Sequence, residues 1–193
     1  MNADKIILSL CDYSGAWSRP YQEAGYDVVQ IDLALGQDVR LLEYPGQLHG
    51  ILAAPPCTDL ARSGAVWWKK KGDPALLNAL AVADACLRFV AMCKPAWWCL
   101  ENPEGRLRKY YGPPAFTFDP ADYNDLADGD ESYNKKTLLW GRFTAPLPLF
   151  TGSIPQLAKN TNWVNSFPES KDRAMLRSVT PTGFARAFFM VNK

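Results

Sequence analysis

Two side chains stand where covalent chemistry needs them. Cys57 directly follows Pro55-Pro56, and Glu101 closes the apolar run Ala96-Trp97-Trp98-Cys99-Leu100. Two consecutive prolines fix their φ angles and hold the thiol in a defined direction, which suits a nucleophile that attacks as the thiolate. Arg62 or nearby loop amides would lower its pKa; the other reading of the same residue is a small buried apolar group. A carboxyl after an apolar run is expected to be partly buried. Its pKa then rises until it can donate a proton near neutrality, unless it caps a helix or joins a salt bridge.

Other residues narrow the chemistry. The single histidine, His49, lies roughly 20 Å from Cys57 at strand spacing, which argues against a Cys-His protease pair. The five cysteines, at 11, 57, 86, 93 and 99, contain no CxxC pair, which argues against a zinc cluster and a disulfide framework. Asp32 follows the first turn by about twenty residues, the place where an acidic side chain in a nucleotide-binding α/β fold accepts hydrogen bonds from ribose hydroxyls. It reads equally as a capping or solvated carboxylate. Gly15, in the turn Cys11 to Ser18, would let a ligand approach the backbone, or would serve the turn alone. What remains is chemistry using a thiolate, a carboxyl and a nucleotide-like cofactor.

The elements that position these groups follow from periodicity. Lys5–Leu10, Asp27–Ile31, Gly50–Ala54 and Ala96–Leu100 are short apolar runs, as expected of strands buried on both faces. Arg19–Ala24 reads as a short helix, with Pro20 near its start and Gly25 at its end. Leu76, Leu80, Ala83, Leu87 and Val90 recur at helical spacing after Asp73-Pro74, an N-cap and first-turn proline, and Lys94-Pro95 stops that helix. Thr58–Gly72 reads as a polar loop. Thr137–Trp140 is strand-like, Pro113–Asn134 irregular, and Phe184–Val191 a closing helix or a strand. Strand, helix, strand with short turns predicts a mostly parallel sheet with helices on both faces. Asp12, Asp32, Cys57 and Glu101 would then lie just past strand ends, along one edge of the sheet, where ligands collect in such folds.

Composition sets the outer bounds. At 193 residues and 48% hydrophobic content the chain suits one domain, 1–193, with 142–173 as a short excursion. A net charge of +1 excludes a globally basic nucleic-acid binder, so any such contact is local. There is no secretory signal pattern and no apolar run that reads as a bilayer span, so no membrane partner is expected. A reducing, cytoplasmic setting is expected.

With these residues in place, the chain resembles the DNA cytosine-5 methyltransferase family, as a small phage- or prophage-type member. ILSLCDYSGAWS followed by EAGYDVVQIDL is similar to that family's cofactor-binding motif and the acidic ribose contact after it. The resemblance implies that Asp12, Tyr13, Ser14, Gly15 and Trp17, then Asp32 and Leu33, hold S-adenosylmethionine. GQDVRLL resembles the element that contacts the adenine, through Asp38 and Val39. AAPPCTDLARSGA resembles the Pro-Cys catalytic motif, with Pro55 beside the cofactor, and KPAWWCLENPEGRL resembles the glutamate motif. RSVTPTGFARAFF is similar to the last motif, through Ser178 and Val179, with Arg177 where the family has asparagine. In place of the usual glutamine-arginine-arginine element stands Tyr133-Asn134-Lys135-Lys136-Thr137, so Lys136, or Lys135, is expected at the base. The region that reads the target sequence is reduced to about 142–173.

The implied fold is a Rossmann-like, S-adenosylmethionine-dependent methyltransferase. The implied reaction is methylation of carbon 5 of a cytosine in DNA, with Cys57 adding to carbon 6 and Glu101 protonating nitrogen 3. The target base would be extruded from a duplex or supplied single-stranded. Arg62, Ser63, Lys69, Lys70 and Lys71, interleaved with Trp67 and Trp68, would grip phosphates, or form a solvated charge run. With so short a recognition region, specificity is expected to be low or to come from an accessory protein. RNA, single-stranded DNA or a nucleotide are alternative substrates, and a cofactor-binding regulatory module without turnover is an alternative role.

Overall fold

The computed structural model describes residues 2–148 and 177–193. Strands β1 (Ile6–Leu10), β2 (Asp27–Ile31), β3 (Gly50–Ala53), β4 (Trp97–Pro103), β5 (Phe116–Phe118) and β6 (Thr137–Arg142) form one sheet in the order β2-β1-β3-β4-β6-β5. The first four run parallel, and β6 enters antiparallel between β4 and β5. The order reverses at β1 and β3, because the chain leaves β1 for β2 on one side and returns to β3 on the other. In open α/β sheets ligands collect beyond the strands' carboxyl ends at such a switch point.

Helices cover both faces, as the strand–helix alternation predicts, and the fold is Rossmann-like. One face buries Leu8, Leu10, Ile51, Ala53 and Leu100 against Ala83, Cys86 and Phe89 of α2 (Ala65–Cys93). The other is aromatic. Tyr21 of α1 (Arg19–Glu23) and Phe184 and Phe188 of the C-terminal helix pack there on Ile7, Leu52, Cys99 and Leu139, with Trp17 between Phe184 and Phe188 at centroid distances of 5.9 and 5.7 Å.

Three elements differ from the sequence expectation. Residues 58–72 are not a loop throughout: a 3-10 turn, Arg62–Gly64, leads straight into α2. The front part of α2 ends at Gly72 (φ 64°, ψ −165°), a conformation essentially confined to glycine, so the periodic helix does begin at Asp73-Pro74 as expected. Apolar periodicity marked only the half of α2 that packs on the sheet. β4 runs to Pro103, past Leu100, because β6 continues pairing with it through Pro103 and Thr137 after β3 has ended. Pro113–Asn134 contains β5 and a 3-10 segment, Pro120–Leu126, and α3 (Arg108–Tyr111) precedes it.

Phe184–Val191 is helical, within α4 (Thr182–Val191). Contrary to the sequence reading, one helical stretch, Arg62–Cys93, is long and apolar enough to cross a membrane by length and composition alone. Its apolar side chains include Ala83, Cys86 and Phe89, which the sheet buries. Residues 149–173 of the expected excursion lie outside the described residues.

Candidate active site

Backbone pairing brings the two reactive groups together. Ala53 at the end of β3 pairs with Leu100 of β4, so Glu101 lies one position beyond the last paired residue. Side chains alternate along β4: Cys99 belongs to the aromatic face and Leu100 to the aliphatic one, which puts Glu101 on the aromatic side. Past β3 the chain runs through Pro55-Pro56 into a turn closed by the amides of Leu60 and Ala61, both donating to the Cys57 carbonyl at 2.9 and 2.8 Å.

That turn is stitched to the segment after β4. Asn102 Nδ2 donates to the Pro55 carbonyl at 2.8 Å, Arg62 N to the Glu104 carbonyl at 2.8 Å, and Arg106 N to the Leu60 carbonyl at 2.9 Å. Arg106 Nε adds a bond to the Asp59 carbonyl at 2.7 Å. A β-bridge joins Ala61 to Gly105. Gly105 is required there, since a Cβ would come within 2.0 Å of the Leu60 carbonyl oxygen.

Beside this turn lies a cavity of about 260 Å³, walled by Cys57, Ser63, Trp67, Lys71, Lys135 and Arg177 among others. A cavity of about 150 Å³ holds benzene, so the volume admits a substituted six-membered ring. Burial pushes the Cys57 thiol up in pKa, Glu101 adds to that, and Lys135 and Arg177 oppose it. Among the described residues, the cations bearing on the thiol are Lys135 and Arg177. Arg62, the expected activator, is largely exposed and pairs with Glu104 at 3.7 Å.

Glu101 is 7% exposed, and its Oε2 is buried without a hydrogen-bond partner. Its pKa is raised by burial, against the pull of Lys135 and with a push from Asp12. A buried carboxyl held toward its protonated form is equipped to donate a proton.

Of the two lysines expected at the base, the structure places Lys135 on the cavity wall, while the Lys136 ammonium lies 4.0 Å from Glu104. Successive side chains of an extended segment point to opposite sides, so only one of the pair can reach the cavity.

Of the expected cofactor residues, Asp12 to Trp17 follow β1, Asp32 and Leu33 follow β2, and Pro55 follows β3. Asp12 is buried and its carboxylate accepts from the hydroxyls of Ser9 (3.0 Å), Ser14 (3.1 Å) and Ser18 (3.3 Å), an arrangement that shapes the turn carrying Tyr13. Gly15 has a φ of 65°, and the side chain packed against it is Gln30, which also donates to the Asp12 carbonyl. Trp17 is fully buried in the aromatic core. Asp32 follows β2 and accepts from Ala34 N at 2.7 Å, and Leu33 after it is 72% exposed.

Asp38 is held by the Arg40 guanidinium at 2.6 Å, which lowers its pKa to about 2, and Arg40 also reaches Asn78 of α2 at 2.9 Å. Val39 is buried in the aliphatic core and Pro55 under the Cys57 turn. Ser178 is exposed and Val179 half-buried, just before α4.

Lys69, Lys70 and Lys71 are on the front part of α2. Lys71 pairs with Asp59 at 2.5 Å and Lys70 lies 5.6 Å from the Trp67 ring, itself 55% exposed. Trp68 differs from Trp67: its indole nitrogen is buried and Arg106 covers its ring at 4.7 Å. The roles of Asn102, Gly105 and Arg177 were not anticipated. Asn102 and Gly105 flank Pro103-Glu104 in the glutamate segment, and the one available signal was their nearness to Glu101.

No protein-family model and no curated protein matches this sequence. Among solved structures the chain is similar to a protein provisionally described as a DNA modification methyltransferase encoded within a prophage (E. coli), with 16% identity and a TM-score of 0.49. The match covers 72% of this chain and 46% of that one, so the chain spans about half the length of that structure.

Proposed function

We propose that this chain transfers a methyl group from S-adenosylmethionine to carbon 5 of cytosine in DNA, through a covalent adduct at Cys57. The observation that carries the reading is the pairing of Cys57, on the wall of a ring-sized cavity, with a buried Glu101 whose Oε2 has no partner. Cytosine is a poor nucleophile at carbon 5. Addition of the Cys57 thiolate to carbon 6 pushes electrons into the ring, and the protonated Glu101 gives its proton to nitrogen 3 as charge develops there. Lys135 stands beside both groups and favours the thiolate before attack. After methylation, loss of the carbon-5 proton expels Cys57 and restores the aromatic ring.

The residues around the switch point fit a nucleoside-bearing donor. Asp32, half-buried at the end of β2, would take the ribose hydroxyls, and the exposed face of Leu33 would lie under the adenine. Asp38 would reach the donor only by releasing Arg40. When bound, S-adenosylmethionine supplies an electrophilic methyl on a sulfonium. Exposed Trp67 with Lys69 and Lys70 would meet the nucleic acid, giving low or short sequence specificity unless an accessory protein adds contacts.

The test offers 5-fluorocytosine in duplex DNA, single-stranded DNA and RNA, with the methyl donor, and reads a denaturation-resistant adduct by mass. An adduct on DNA that is absent in Cys57→Ala supports the reading. An adduct on RNA alone transfers the chemistry to another substrate, and none on any of the three overturns it.

A further inference from the structure

A second cation shares the cavity with Lys135. Arg177 lies just before α4, and its Nη2 donates to Ser63 Oγ at 3.3 Å while its carbonyl accepts from Lys135 Nζ at 2.9 Å. Ser63 belongs to the 3-10 turn that follows Leu60 and Ala61, the residues whose amides close on the Cys57 carbonyl. A bridge therefore runs from the segment entering α4, across the cavity, to the turn that carries the thiol.

Among the described residues, the charged groups bearing on the sulfur are Glu101 of β4, Lys135 before β6 and Arg177 before α4, and Lys71 of α2 also lines the cavity. The Lys71 ammonium is neutralised by Asp59 at 2.5 Å. Lys135 and Arg177 each offset burial and the Glu101 carboxyl at the thiol.

We infer that Arg177 is a positioning residue for the nucleophile: with its carbonyl held by Lys135 and its guanidinium bonded to Ser63, it fastens the reactive turn to the segment entering α4 and sets a positive charge beside the Cys57 sulfur. The inference rests on reading Cys57 as the nucleophile. It adds a residue that the family resemblance leaves unassigned, at the position where asparagine is usual.

The experiment needs neither nucleic acid nor methyl donor, so it succeeds or fails independently of the substrate. The intact protein is treated with iodoacetamide, whose iodide the Cys57 thiolate displaces, and the rate is followed by peptide mass spectrometry at residue 57 as a function of pH. Arg177→Gln should raise the midpoint of that profile by about 0.5 to 1 pH unit, a three- to tenfold slower reaction at neutral pH. Arg177→Lys should recover most of the shift.

An unchanged midpoint in Arg177→Gln overturns the proposal, and so does an equal shift in Arg177→Lys, since charge would then not be the cause. Should Arg177→Gln fail to fold, the parent protein still decides: its midpoint must rise with added salt as the cations are screened, and a salt-independent midpoint overturns the proposal.

Discussion

Glu101 concentrates the conflict between folding and chemistry in this molecule. A carboxyl with one oxygen buried and unpartnered is costly once ionised, and native burial keeps its proton on to higher pH than in the unfolded chain. The native state therefore binds more protons. The stability this group contributes is intact below its ordinary value of 4.5 and is lost as pH rises through the elevated native pKa. Glu101→Gln cannot ionise. Its melting temperature should gain on the parent's progressively from pH 4.5 toward neutrality, while methyl transfer falls by about 10² to 10⁴. A pH-independent difference in melting temperature would show that the carboxyl is not strained in the fold.

The same residue shows how far the sequence could be read. Its apolar approach, Ala96 to Leu100, was enough to anticipate burial of Glu101. The choice between Lys135 and Lys136 was not available, because it depends on which way a two-residue alternation falls, and that is set by where β6 begins to pair.

At the level of elements, the sheet supplies direction and the stitching after β3 and β4 supplies proximity. Parallel pairing of Ala53 with Leu100 sets the two strand ends level, but Cys57 is four residues farther on. It is held near Glu101 by Asn102, Arg62, Arg106 and the bridge at Gly105. Gly105→Val would drive a Cβ into the Leu60 carbonyl, so the turn must move. The expected result is loss of the 5-fluorocytosine adduct with about 1–3 kcal/mol of destabilisation, read by chemical denaturation alongside adduct formation. Loss of stability with full adduct yield would show that the bridge does not position Cys57.

Five of the strands and the rear of α2 were legible because their apolar spacing matched their burial. The front of α2 was not. Its residues Ala65 to Lys71 face the cavity and solvent more than the core, so tertiary position governs them and apolar spacing does not. β5, at three residues, is too short to register as a period.

Taken whole, the molecule has two unlike cores on one sheet, aliphatic under α2 and aromatic under α1 and α4. Stacking of Phe118 on Phe184 at 3.8 Å and the cluster of Trp17, Trp97 and Phe188 carry the second. Phe188→Ala should cost about 3–5 kcal/mol by denaturant unfolding, with the cavity at Cys57 intact, since that side chain lies among aromatic rings and the cavity lies beside the Cys57 turn. A cost under 1 kcal/mol would mean the aromatic layer repacks without it. The two-faced arrangement was legible from the strand–helix alternation, whereas the unequal chemistry of its faces was not, because Trp17 and Phe184 are brought together from opposite ends of the sequence.

One consequence concerns synthesis. Residues 184–188 complete the aromatic layer, while among the described residues every strand precedes residue 143. A ribosome at about 5–20 residues per second exposes the whole sheet for seconds before its second cover emerges from the exit tunnel. During that interval the bare layer of Trp17, Tyr21 and Trp97 is the surface a chaperone would hold.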